Sequence, residues 1–209
     1  MSLDHTDRQA HWQAVYARKD PAAVSWYRPH LEVSLALLEA AGLSTGARLI
    51  DVGAGAATLV DDLLERGLRE VTVLDVSGQA LAIARARLGP RAAQVHWLEQ
   101  DVLGAALPIG GFEFWHDRAV LHFLTDLADA ARYVQVCAAA LVAGGHALIG
   151  GFAPDGPERC SGLPVVRRSS EQIAALFSPA FSLVRTHAER HRTPSGAEQS
   201  FAYALLRRG

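Results

Sequence analysis

The sequence is poor in the features that would place a chain outside an ordinary aqueous compartment. No apolar run reaches the length of a membrane span, and the opening stretch MSLDHTDRQA has early acids where a secretory signal would have an apolar core. A cytoplasmic address without membrane attachment is therefore expected. Cysteine is scarce: Cys137 and Cys160 are the only two, and they form no C-x-x-C pair and cannot build a disulfide framework. Cys137, in VQVCAAAL, reads as a small buried hydrophobe, whereas Cys160 lies in a loop and stays open as a functional thiol. The nine histidines show neither H-E-x-x-H nor H-x-E…C-x-x-C spacing, so no metal site is expected. An excess of charge of one sign is also lacking. The net charge of −2 gives no bulk reason to bind nucleic acid or anionic lipid. Repeats, low-complexity tracts and linkers are absent, and 209 residues suit one domain with a full core.

Short strand-like and helix-like segments alternate along most of the chain. RLIDV (48–52), VTVLDV (71–76), VHWL (95–98), FEFW (112–115) and HALIGGF (146–152) are apolar and β-branched or aromatic, as strands covered on both faces should be. Between them, ATLVDDLLERG places Leu59, Val60, Leu63 and Leu64 at helical spacing, with Gly67 to end the turn. SGQALAIARARLGP starts on a capping Ser77 and stops at Gly89-Pro90, and a third helix spans about 126–141 before Gly144-Gly145. Ser169 and Gln172 form a candidate capping box, followed by two strand-like runs around the turn segment HRTPSGA, which predicts an antiparallel hairpin. Two helices, over residues 5–19 and 29–42, precede the first strand. The expected fold is α/β, a doubly wound, mostly parallel sheet behind a helical cap at 1–45, with the core at 46–209.

The turn in LIDVGAGAATL falls where ligands bind on such sheets, at the carboxyl end of the first strand. Gly53 and Gly55 open the backbone to close approach, but Thr58 stands where a dinucleotide fingerprint needs its third glycine. Phosphate is the weaker fit. Asp51, two residues before Gly53, would repel a pyrophosphate and attract an ammonium. Asp75 ends the second strand, where an acid accepts from ribose hydroxyls, and Asp101 follows the third, placed for an exocyclic adenine amine with Val102 against the ring. Ala57 and Val76 complete the contacts assigned to this ligand. In order, the three acids match an amino-acid ammonium, a ribose and an adenine. Taken singly, each could instead cap the following helix, and the glycines could serve chain reversal alone.

D51-V-G53-A-G55-A-A57, Asp75, Asp101 and the L141-V-A-G144-G145-H-A-L segment together resemble the class I S-adenosylmethionine-dependent methyltransferases over roughly residues 45–207. Ala57 replaces the last glycine of that family's first motif. The resemblance implies S-adenosyl-L-methionine as cofactor and a Rossmann-like sheet of seven strands with an antiparallel last strand. It also implies that the segment after the fourth strand, FEFWHDRAVLHFL, meets the methionine end and the acceptor. His116, Asp117 and His122 are the candidate catalytic groups, with a structural histidine as the alternative for either imidazole. His116 is also a candidate cofactor contact. Asp117, Arg118, Tyr27 and Cys160 are candidates for the acceptor pocket.

HDRA resembles the D-R/K-G-x stretch of thiopurine-type and elongation-factor-lysine-type methyltransferases, with Ala119 where those often have glycine. HWQAVYARKDPAAVSWY is similar to the aromatic leader of a group of small bacterial methyltransferases, and places Trp12, Trp26 and Tyr27 to fold over the cofactor. Ordinary helix packing accounts equally well for Trp12 and Tyr16. The loop at 150–164 is either a binding loop, offering Asp155, Glu158, Arg159 and Cys160, or a plain connection. No D/N-P-P-Y/F motif and no catalytic P-C motif of base methylation occur, which disfavours nucleic-acid acceptors. The leading expectation is methyl transfer to a small molecule, such as a thiol or similar soft nucleophile. A protein lysine acceptor and a non-catalytic cofactor-binding or docking protein are the alternatives. Nothing in the sequence addresses the oligomeric state.

Overall fold

The computed structural model describes residues 5–209, so the first four residues, including those read against a signal and at the start of the cap, lie outside it. Two helices, α1 (His5–Arg18) and α2 (Glu32–Ala40), lead into the alternation β1 (Arg48–Val52), α3 (Leu59–Glu65), β2 (Glu70–Asp75), α4 (Gly78–Leu88), β3 (Val95–Glu99) and β4 (Phe112–Arg118). Then come α5 (Leu127–Ala140), β5 (Leu141–Phe152), the short β6 (Arg159–Cys160) and β7 (Leu163–Pro164), α6 (Ser170–Phe177), β8 (Phe181–Arg192) and β9 (Glu198–Arg208). The seven-stranded sheet runs β3-β2-β1-β4-β5-β9-β8. Strands β1 to β5 pair in parallel, and the last strand, β9, is antiparallel to both its neighbours. This is the doubly wound sheet expected. Among the described residues, no helix is long and apolar enough to cross a membrane.

Local chemistry sets the helix ends. Ser77 Oγ accepts from Ala80 N–H at the start of α4, and Gly89, at φ 56°, ends that helix. Asp126 caps α5, and both halves of the Ser169–Gln172 box form at α6. The alternation of strand side chains then fills two core layers. Leu49, Phe114, Leu148 and Leu205 face one layer; their successors Ile50, Trp115, Ile149 and Leu206 face the other. Each such side chain contributes roughly 1.5–3 kcal/mol on burial.

Three boundaries differ from the sequence expectation. The 150–164 loop contains the β6–β7 hairpin, and β5 begins at Leu141, with a register shift opposite Phe112–Phe114. More consequentially, β4 continues three residues beyond Trp115, so His116, Asp117 and Arg118 are strand residues and alternate in direction. Asp117 falls on the Trp115 side, away from the glycine turn. Its Oδ2 accepts from the Tyr133 hydroxyl at 2.6 Å, and that hydroxyl accepts from Trp115 Nε1–H at 2.8 Å. Asp117 also accepts from Val120 N–H and Leu121 N–H, at 2.7 and 3.0 Å, and so shapes the turn after β4.

Tyr133→Phe leaves the Trp115 N–H unmatched and Asp117 one donor short. It is expected to lower stability by about 1–3 kcal/mol, read as a lower urea midpoint with an unchanged slope. An unchanged midpoint would refute the role given to this network.

Candidate active site

Strand order reverses between β1 and β4, which opens a crevice at their carboxyl ends. Asp51 and His116 are paired across this junction. Asp51 Oδ1 lies 2.7 Å from His116 Nδ1, and His116 Nε2 lies 2.9 Å from Ser34 Oγ on α2. A carboxylate accepts, so Nδ1–H donates to Asp51, while Nε2 shares a hydrogen bond with the serine hydroxyl. Both ring nitrogens are thereby engaged, and His116 positions Asp51. Ser34 is buried and does not line the pocket, so the Ser–His–Asp order does not present a nucleophile.

Behind β1 the chain reverses through Gly53 and Gly55, at φ 61° and 57°. A Cβ on Gly53 would stand 1.9 Å from Val120 Cγ2, and one on Gly55 would stand 2.1 Å from the Tyr16 hydroxyl. Both glycines are therefore required by space as well as by dihedral. Gly53 N–H donates to Leu74 O at 2.7 Å, while Gly55 N–H and Ser77 N–H donate to the two oxygens of Asp75, each at 2.8 Å. Burial pushes the Asp75 carboxyl up to about 6, against the pull of those two amides. Arg87 on α4 donates to the carbonyls of Ala56 and Ala57 at 2.6 Å and pairs with Asp61, which clamps the turn from outside.

A large pocket extends from this turn. Asp51, Gly53, Ala57, Asp75, Val76, Asp101 and Val102 line it, as do Trp26, Tyr27, His116, Arg118 and Cys160. Three of the residues expected at the site are elsewhere. Gly55 lies behind Tyr16, its open face filled by that ring. Asp117 is turned toward Tyr133. His122 faces a small separate cavity between Phe123 and Phe152, where neither ring nitrogen finds a partner and burial pushes it down to about 3. A neutral imidazole outside the pocket cannot serve as its base. Cys160 does reach the pocket wall, but burial pushes its thiol up to about 11, so it is not the reactive thiolate that a functional role would need.

Helix α1 covers the acid side. Arg8 Nε donates to Asp101 Oδ2 at 2.8 Å, and Gln13 Oε1 accepts from Ser77 Oγ and Gln79 N–H at 3.1 and 2.9 Å. Trp12 and Tyr16 pack against Trp26 beneath it. Arg8, Ser34 and Arg87 escaped the sequence reading. Only Ser34 left a signal: it is the one polar member of the stripe Leu31, Ser34, Leu35, Leu38. Ser34→Ala is expected to destabilise the protein by about 1 kcal/mol through the unmatched imidazole nitrogen. Thermal unfolding is the measurement, and no shift would show that this nitrogen has another partner.

Residues 49–145, just under half of the chain, match a family described as a methyltransferase domain. A search of curated protein sequences found no match. Among solved structures the chain is similar to one from a study of the conversion of a disulfide bond into a thioacetal group during echinomycin biosynthesis. That likeness has 20% identity, covers 96% of this chain and 92% of the other, and gives a TM-score of 0.76. The [4+2]-cyclase SpnF is similar at 14% identity, 99% and 96% coverage and TM-score 0.75. The Burkholderia thailandensis 1,6-didemethyltoxoflavin-N1-methyltransferase, solved with its acceptor and S-adenosylhomocysteine, is similar at 20% identity, 100% and 92% coverage and TM-score 0.71. At such identities these likenesses establish the fold, which a cyclase shares. Over the matched residues the chain carries a methyltransferase domain, set in the fold that these solved structures have in common.

Proposed function

We propose that the protein methylates a small molecule whose acceptor atom, a thiolate or similar soft nucleophile, arrives with its lone pair already available. The observation that carries this reading is the set Asp51, Asp75 and Asp101, which stand at the ends of three adjacent strands and line one pocket beside a glycine turn with no room for side chains. In the proposal Asp51, held by His116, takes the methionine ammonium. Each oxygen of Asp75 has accepted one backbone N–H and keeps a further lone pair for a ribose hydroxyl. Asp101 takes the adenine amine, with Val76 and Val102 along the ring. The open backbone from Gly53 to Ala57 lets the ligand approach, and the rings of Trp26 and Tyr27 shield the sulfonium end.

When bound, S-adenosylmethionine would supply an electrophilic methyl carbon for the acceptor lone pair, with its sulfur as the leaving group that keeps the C–S electron pair. The chain's own part is to position the partners and exclude water. Apart from the three acids assigned to the cofactor, the groups that line the pocket offer no ready base. His116 has both nitrogens engaged, the Cys160 thiol is pushed up by burial, and so is the Tyr16 hydroxyl. An acceptor that needs no deprotonation by the protein fits this set. The cover provided by α1 and the aromatic walls support a small acceptor over a protein lysine. Sulfur chemistry and a small-molecule acceptor both occur among the structures of this fold. A cytoplasmic setting belongs to the same proposal.

Isothermal titration with S-adenosylhomocysteine tests the cofactor seat. Asp75→Ala is expected to weaken binding at least about tenfold, and equal affinity would sink the assignment. Ribose hydroxyls bond the ionised carboxylate, so affinity is expected to rise with pH through about 6 and to fall up to about tenfold per unit below it. Asp75→Asn should flatten that profile. Transfer of labelled methyl into a metabolite extract, and not into a proteome, is the outcome expected of a small acceptor; label in neither would favour a non-catalytic binder.

A further inference from the structure

At the end of the pocket opposite the three acids stands a cluster that the cofactor reading leaves unused. Arg118 donates from Nε to the Tyr203 hydroxyl and from Nη1 to Trp26 O, both at 3.0 Å. Its Nη2 donates to nothing, although it is shut away from solvent. The closest carboxylate oxygen, Glu189 Oε2, is 3.9 Å away and is instead held by the Tyr203 hydroxyl at 2.7 Å. The other oxygen of Glu189 accepts from Arg28 at 2.8 Å. One buried carboxylate thus answers two guanidiniums. A further acid among the described residues, Glu32, lies 3.9 Å from Arg28 and is largely exposed, where water screens it. His191, also in this cluster, is engaged with Ser25 O and is held toward its neutral form by burial. The cluster therefore sets two guanidiniums against one buried carboxylate, and one of the two, Arg118, has an unmatched donor and belongs to a residue that lines the pocket.

The surroundings narrow what would complete it. The Arg118 guanidinium lies 4.5 Å above the Phe201 ring, and Trp26, Phe123, Phe152 and Phe201 border the same space. Flat apolar walls with one planar cationic donor match a planar group that carries anionic oxygen. We propose that the methyl acceptor is a flat, mostly apolar molecule bearing such an anionic oxygen, a carboxylate or an aryl oxyanion, and that Arg118 is the residue that selects it. This rests on the methyl-transfer reading for the acceptor's role, but the anion site itself does not.

The test uses two probes of equal shape, 1-naphthoate and 1-naphthamide, titrated by calorimetry into the full chain with and without saturating S-adenosylhomocysteine. The wild type is expected to bind the acid about tenfold or more tightly than the amide. Arg118→Met should erase that preference while leaving S-adenosylhomocysteine affinity within about threefold. Glu189→Gln, which removes the compensating charge but keeps hydrogen-bonding groups, should widen the preference and supplies the answer if Arg118→Met unfolds. Equal affinities for acid and amide in the wild type overturn the proposal. So does an Arg118→Met protein that keeps the preference but loses S-adenosylhomocysteine, since the arginine would then serve the cofactor. A chain that ignores S-adenosylhomocysteine yet keeps the Arg118-dependent preference upholds the anion site and removes the methyl-transfer reading.

Discussion

Asp51 is 3% exposed at the end of a central strand, and its one ion-pair partner among the described residues is the His116 imidazole. Removing a carboxylate from water costs several kcal/mol, and a single N–H returns only part of that. The site is therefore left short of positive charge at the one point where the glycine turn opens the backbone. Much of the neighbouring architecture follows from keeping that carboxylate in place. Strand pairing brings His116 beside it, α2 contributes Ser34 to fix the ring, and the Arg87 clamp holds the turn that would otherwise be free to close over it.

The parts legible in the sequence were those written in residue type. Apolar alternation gave the sheet, and the two glycines with an acid at each strand end marked residues most of which line one pocket, because hydrophobic period and backbone permissiveness are properties of single residues and their spacing. The misplaced residues were lost to one boundary. With β4 ended at Trp115, the residues HDR read as a crowded polar loop; three further strand residues send His116 and Arg118 to the pocket and Asp117 to the opposite core layer. His122 was misread for a similar reason, since only the path of the turn after β4 decides which side of Phe123 it occupies. Arg8 and Arg87 sit on helices whose polar faces look like any solvated surface, and their partners are 93 and 31 residues away. No local pattern encodes such pairings.

The segment after β4 also contains a strained position. Ala119 holds φ at 78°, a region that costs a side-chain-bearing residue about 1–2 kcal/mol. Asp117 makes the conformation tenable by accepting from the next two amides, while Ala119 N–H donates to Gly150 O at 2.8 Å. An aspartate that never reaches the ligand thus holds up the wall against which it rests.

Helix α1 adds a consequence in time. A ligand seated among Asp51, Asp75 and Asp101 lies beneath a helix fastened by the Arg8–Asp101 pair, by Gln13 on the start of α4 and by Tyr16 over the turn. Exchange of such a ligand then depends on how often that helix lifts. Polar fasteners near the surface loosen as ionic strength rises, so the dwell of a molecule in this pocket becomes a property of α1 and its surroundings.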